Sequence, residues 1–81
     1  MMKIIFTRHA LEQIEKRNIA ETDVAEAVAN PSKVLTDAYD AELAHYIGKI
    51  GPRFLRVVVK IIAGDLIVVT AFYDRRIKDE D

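Results

Sequence analysis

The 81-residue sequence has no cysteine and no tryptophan, and only three glycines and two prolines. Without cysteine, no disulfide staples the fold and no thiolate serves as nucleophile or metal ligand, which suits a reducing cytoplasm. Low-complexity runs, linkers and internal repeats are absent too. The longest apolar stretch, Leu66 to Phe72, falls far short of the ~20 residues that a spanning helix needs. Met1 to Phe6 is too short for the apolar core of a secretory signal. No membrane partner is expected.

An excess of one charge is also missing, since the formal net charge is −1. Its distribution is nevertheless uneven. Glu12 to Glu42 holds eight acids and three bases, net −5, whereas Leu43 to Lys78 holds seven bases and two acids, net +5. Such a split builds a local anion-binding face without a basic chain, or leaves two differently solvated surfaces.

What the sequence does have is apolar residues, 51% of the total, beside 31% charged. That composition supports one small core and argues against disorder. We expect a single domain over residues 1–81.

Lys3 to Phe6 reads as a short strand or extended lead-in. Thr7 is a good N-cap for a helix from Arg8 to about Arg17. Ala10, Leu11 and Ile14 form its apolar stripe, with His9, Gln13 and Arg17 as a polar stripe beside it. His9 and Arg17 then lie about two turns apart, ~12 Å at ~1.5 Å rise per residue. Asn18 can turn left-handed and end this helix. A second helix runs from about Glu21 to Ala29, with Val24, Ala25 and Val28 inward, and Asn30-Pro31 stops it.

Beyond it the pattern alternates with period two. Lys33 to Thr36 and Ala44 to Ile50 read as strands, joined by a polar loop from Asp37 to Glu42. Gly51-Pro52 is a turn, and Arg53 to Ile62 and Asp65 to Tyr73 form a hairpin about Ala63-Gly64. The expected fold is α+β, with two N-terminal helices packed on one face of a three- to four-stranded antiparallel sheet. If Ile62 pairs with Asp65, one face carries Leu55, Val57, Val59, Ile61, Leu66, Val68, Thr70 and Phe72, and should meet the helices. The other carries Phe54, Arg56, Val58, Lys60, Ile67, Val69, Ala71 and Tyr73.

No phosphate loop, GxSxG elbow, HExxH pair or CxxC is present, and the spacing of His9 and His45 suggests no metal site. His9 is a candidate general acid or base, or else a polar residue bonded in the first helical turn. Arg17 could clamp a phosphate, or pair with Asp23 or Glu21. Arg56, Lys60 and Tyr73 together could hold a phosphodiester and stack a base. They could equally be the charged exterior of a half-buried sheet, and a partner protein would explain that face's apolarity as well. His45 and Tyr46 point to opposite faces of their strand, so at most one joins a site. Arg75, Arg76 and Lys78 either bind phosphate or solubilise the terminus.

Phe6-Thr7-Arg8-His9-Ala10, Arg17-Asn18-Ile19 and an acidic helix ending at Asn30-Pro31 resemble the opening of the domain of unknown function 4258 family. Leu55 to Val59 and Ile67 to Phe72 resemble its closing hairpin, so the likeness covers nearly the whole chain. His9, Arg17 and Thr70 match recurrent polar positions, while Asn18 and Ala20 stand where a glycine and a Ser or Thr cap are common. The family is grouped with RelE/ParE-like toxins and compact RNase folds. The resemblance implies helices on one side of a RelE/barnase-like sheet and a nucleic-acid site on a sheet face or edge, and we expect a toxin-like domain of a toxin–antitoxin system that cleaves or binds RNA with neither metal nor cofactor. In that reading His9 moves a proton, Arg17 and Arg56 hold phosphate, Tyr73 stacks, and Lys60, Thr70, Arg75 and Arg76 bind nucleic acid. Its partners would be RNA and a small antitoxin, with a homo-oligomer left open. A non-catalytic ParE-like interaction module and a housekeeping domain are the rival expectations.

Overall fold

The computed structural model describes residues 3–77. Lys78 and the acidic residues Asp79, Glu80 and Asp81 lie outside the described residues. The chain runs β1 (Ile4–Phe6), α1 (Arg8–Lys16), α2 (Glu21–Ala29), β2 (Lys33–Thr36), β3 (Leu43–Ile50), β4 (Arg53–Ile62) and β5 (Asp65–Tyr73). Among the described residues no helix is long and apolar enough to cross a membrane.

The fold is α+β, but the expected three- to four-stranded antiparallel sheet beneath N-terminal helices is overturned. A strand precedes the helices, and the sheet is five-stranded and mixed, in the order β1-β5-β4-β3-β2. β2 to β5 pair antiparallel, whereas β1 lies parallel to β5 with Ile4 opposite Leu66 and Phe6 opposite Val68. Alternation marks Ile4-Ile5-Phe6 as extended. It cannot name a partner some sixty residues away: the two helices carry the chain to β2 at the far edge, and the antiparallel strands β2 to β5 return it to β1.

Local chemistry sets the element ends. The Thr7 hydroxyl oxygen accepts the Ala10 amide at 3.0 Å, capping α1, and the hydroxyl donates to the Val68 carbonyl at 2.9 Å. One side chain thus starts the helix and fastens it to β5. Asn18 takes φ 54°, ending the α1 segment so that Ile19 turns inward to 5% exposure. Ala63 and Gly64 have φ 51° and 83°, the double left-handed geometry of a type I′ turn, and Ile62 pairs with Asp65.

Both helices pack on one sheet face. Ala10, Ile14, Val24, Ala27 and Val28 bury against Leu55, Val57, Val59, Leu66, Val68 and Ala71. Full burial of a Val or Leu side chain contributes about 1.5–3 kcal/mol, so these residues supply the main stabilisation of a small core. Gly48 lets α2 come close: a Cβ there would stand 2.5 Å from the Ala27 Cα.

The hairpin departs from the expected register at one point. Val58 pairs with Thr70 but Val59 pairs with Val68, leaving Val69 as an extra residue. Such a bulge turns everything beyond it to the opposite face. Ala71 and Tyr73 therefore face the helices, opposite Val57 and Leu55, while Thr70 and Phe72 lie opposite Val58 and Arg56 on the outer face. The expected placement of all four is corrected, and Tyr73 leaves the company of Arg56 and Lys60.

Candidate functional site

The centre of the outer face is held by a chain of charged and polar groups. The Gly51-Pro52 turn fixes the β3–β4 register, which places His45 opposite Val58 and Ile47 opposite Arg56 on one face. His45 and Arg56 are then diagonal neighbours. Arg56 donates from Nη1 to His45 Nδ1 at 2.8 Å and from Nε to the Asp74 carboxylate at 2.9 Å. A guanidinium only donates, so Nδ1 is the acceptor and Nε2 carries the imidazole proton. That Nε2 faces Asp37 Oδ1 at 2.7 Å.

Asp37 binds in two directions. Its Oδ2 accepts the Tyr39 and Asp40 amides, both at 3.0 Å, so the carboxylate that orients His45 also shapes the β2–β3 loop. The hydrogen bond from His45, followed by the Tyr39 amide, holds the Asp37 carboxyl below the usual carboxylate range.

Asp74 lies just beyond β5 and is only 5% exposed. Arg76 binds it through Nε, Nη2 and its own amide at 3.0–3.1 Å, while Arg56 donates from the other side. The Arg76 guanidinium is the largest influence pulling the Asp74 carboxyl far below its ordinary value, with burial opposing it. In return, Asp74 raises Arg76 above the ordinary arginine value. The side chain of Arg76 is 81% exposed, so a fixed cation stands at the surface.

These groups border an open depression of about 400 Å³ lined by Leu35, Asp37, Tyr39, His45, Arg56 and Arg76, among others. Tyr39 is 99% exposed. The arrangement offers an imidazole oriented by a carboxylate, two guanidiniums and an accessible aromatic ring.

The expected site residues are divided between locations. Arg56 and Arg76 converge on this depression. Lys60 shares the outer face, opposite Ile67, and lies 3.8 Å from Glu42. Arg17 reaches from the end of α1 round β5 to Thr70 and Ala71, with its guanidinium carbon 5.9 Å from the Phe72 ring centre. Arg17 and Thr70 thus meet, apart from Arg56. His9 is exposed in the first turn of α1, in the helix layer and away from the outer-face cluster. Tyr73 is on the helix-facing side, with the Arg53 guanidinium carbon 3.7 Å from its ring centre. Arg75 is exposed and lines a second depression with Lys49, Phe54 and Ile77. The shared face expected for Arg56, Lys60 and Tyr73 is not formed, because Tyr73 lies on the side opposite Arg56 and Lys60.

Asp37, His45 and Asp74 were not among the expected site residues. The signal for His45 was present, since closing the Gly51-Pro52 turn places it on the face of Arg56. Asp37 and Asp74 lie at strand ends, where alternation says nothing about the direction of a side chain.

Two helices on one face of a mixed sheet, with a hydrogen-bonded cluster of charged groups on the other, define a small α+β domain. The family model for the domain of unknown function 4258 matches residues 6–73, and the chain belongs to that family. Searches of curated proteins and of solved structures returned no match.

Proposed function

We propose that this chain is a toxin-like domain that acts on RNA at the outer face of its sheet, cleaving it without a metal ion. The observation that carries the reading is the convergence of His45, oriented by Asp37, with Arg56 and Arg76 in one open depression. Cleavage through the RNA 2′-hydroxyl needs a proton acceptor and fixed positive charge near phosphorus. Arg56 is anchored to Asp74 through Nε, leaving Nη1 to turn from His45 to a phosphate oxygen. That movement frees the Nδ1 lone pair to take the 2′-hydroxyl proton while Asp37 keeps hold of Nε2. The 2′-oxygen bonds to phosphorus and the bond from phosphorus to the 5′-oxygen breaks. That oxygen takes a proton from water, giving a 2′,3′-cyclic phosphate and a 5′-hydroxyl. Arg76 supplies charge at the mouth, and Tyr39 stands where a base could stack.

One observation favours binding without cleavage: both ring nitrogens of His45 are already hydrogen-bonded. The test is incubation of the purified protein with single-stranded RNA in EDTA, reading product ends and, separately, fluorescence anisotropy. Cyclic-phosphate ends that disappear in His45→Gln and persist in His9→Ala support cleavage at the depression. RNA retention with intact ends assigns binding alone. Absence of both overturns the RNA reading.

A further inference from the structure

We propose that the open edge of β2 is a self-association surface, on which two copies of this chain join antiparallel strands across a two-fold axis at Leu35. β2 ends the sheet on its side, and all four of its residues are exposed. Two of them, Val34 and Leu35, are large apolar residues with 49% and 42% exposure. An edge of this kind presents unpaired amides and carbonyls to any extended chain, and neither proline nor a bulge interrupts it.

The ladder fixes which groups are free. The Asp37 amide donates to the Leu43 carbonyl at 2.9 Å, continuing a register in which Leu35 pairs with His45 and Lys33 with Ile47. Hydrogen-bonding direction alternates along an antiparallel strand, so Leu35 and Asp37 turn their amides toward β3, while at the start of the strand the Ser32 amide donates to the Ile47 carbonyl at 2.7 Å. Val34 and Thr36 turn theirs outward.

The segment Lys33-Val34-Leu35-Thr36-Asp37 is complementary to itself when run antiparallel. With Leu35 against the partner's Leu35, Val34 faces the partner's Thr36, so the outward-turned groups of both copies exchange hydrogen bonds. Lys33 then faces the partner's Asp37, and opposite charges meet on each side of the axis. A one-residue slip sets outward amides against inward ones. A two-residue slip restores the hydrogen bonds but sets Leu35 against Lys33 or Asp37. Charge, apolar contact and hydrogen-bond direction therefore select a second copy in one register.

Pairing there would build a continuous ten-stranded sheet and bring both copies' depressions, each lined by Leu35, side by side on one face. One short strand buries little area, so the dimer is concentration-dependent.

Sedimentation velocity over a wide range of protein concentration tests this. Val34→Pro removes an outward amide while sparing the β2–β3 hydrogen bonds, and should weaken association about tenfold or more. Leu35→Asp sets like charges together at the axis and is the second variant if the proline disturbs folding, which circular dichroism reads. Since the chain has no cysteine, Leu35→Cys is a clean probe. Residues facing in a non-hydrogen-bonded pair have Cα atoms ~4.5 Å apart, within disulfide reach. Diamide, which takes up the two electrons and two protons, should cross-link Leu35→Cys faster than Lys33→Cys. A chain that stays monomeric throughout overturns the proposal. So does a dimer indifferent to both edge variants, or equal cross-linking at positions 33 and 35.

Discussion

Arg17 and Thr70, 53 residues apart in sequence, meet at 3.3 Å through Nη1 and Oγ1, and the same nitrogen donates to the Ala71 carbonyl at 2.9 Å. β1 pairs with β5 only as far as Val68, so Arg17 occupies the edge that β1 leaves open. It ties the end of α1 to the stretch just beyond the bulge, and it satisfies a carbonyl with no neighbouring strand on that side.

Arg17→Ala should therefore lower stability by about 1–2 kcal/mol, the net worth of such hydrogen bonds. Arg17→Lys should recover part of the loss. Urea denaturation of the three proteins at neutral pH measures it.

Asp74 gives the chain an acid-sensitive fastening. A carboxyl whose folded pKa is depressed contributes stability that is full above its unfolded value and is lost as pH falls toward the folded one. Asp74 and Asp37 are both depressed. Stability should thus be nearly flat from pH 7 to about 5 and fall below about pH 4. Asp74→Asn should cost about 2–3 kcal/mol at pH 7, because Arg56 loses a buried anionic partner. The same variant should flatten the fall at low pH. Urea midpoints between pH 3 and 7 compare the two curves.

Gly48→Ala should destabilise by about 1–3 kcal/mol, since the new methyl meets the Ala27 backbone, which cannot swing aside as a side-chain end would. Thermal melting reads the loss. Ala27→Gly in the same chain should recover little, because the nearest atom to the new methyl is the Ala27 Cα at 2.5 Å.

The hairpin tip offers a stabilising change. Ala63 holds φ 51°, where a β-carbon is disfavoured and asparagine or glycine is at ease. Ala63→Asn should raise stability by about 0.5–1 kcal/mol, read as a shift in the urea midpoint.

Much of this architecture was legible from residue order. Thr7 announced the first cap, Asn18 the left-handed end of α1, and Ala63-Gly64 the turn and the pairing of Ile62 with Asp65. These features are local, set by neighbours a few residues away. What stayed hidden depends on distance. Nothing in Ile4-Ile5-Phe6 specifies a parallel partner, and nothing in a run of Leu, Ile and Val says that Val69 will be left over. That one residue exchanges the faces of Phe72 and Tyr73 and so dissolves the Arg56–Tyr73 pairing expected from alternation. The site suffered in the same way: Arg56 and Arg76 were recognisable as cations, but the carboxylates that fix them stand where periodicity ends.

The parallel pairing of β1 with β5 bears on how the molecule is made. β1 precedes its partner β5 by some sixty residues, so the domain cannot close until the β4–β5 hairpin has been made. Contacts of such long sequence separation slow folding and leave intermediate species with apolar strands uncovered. A nascent chain stalled before Leu66 should remain sensitive to protease along β1, and protection there should arrive together with the final hairpin.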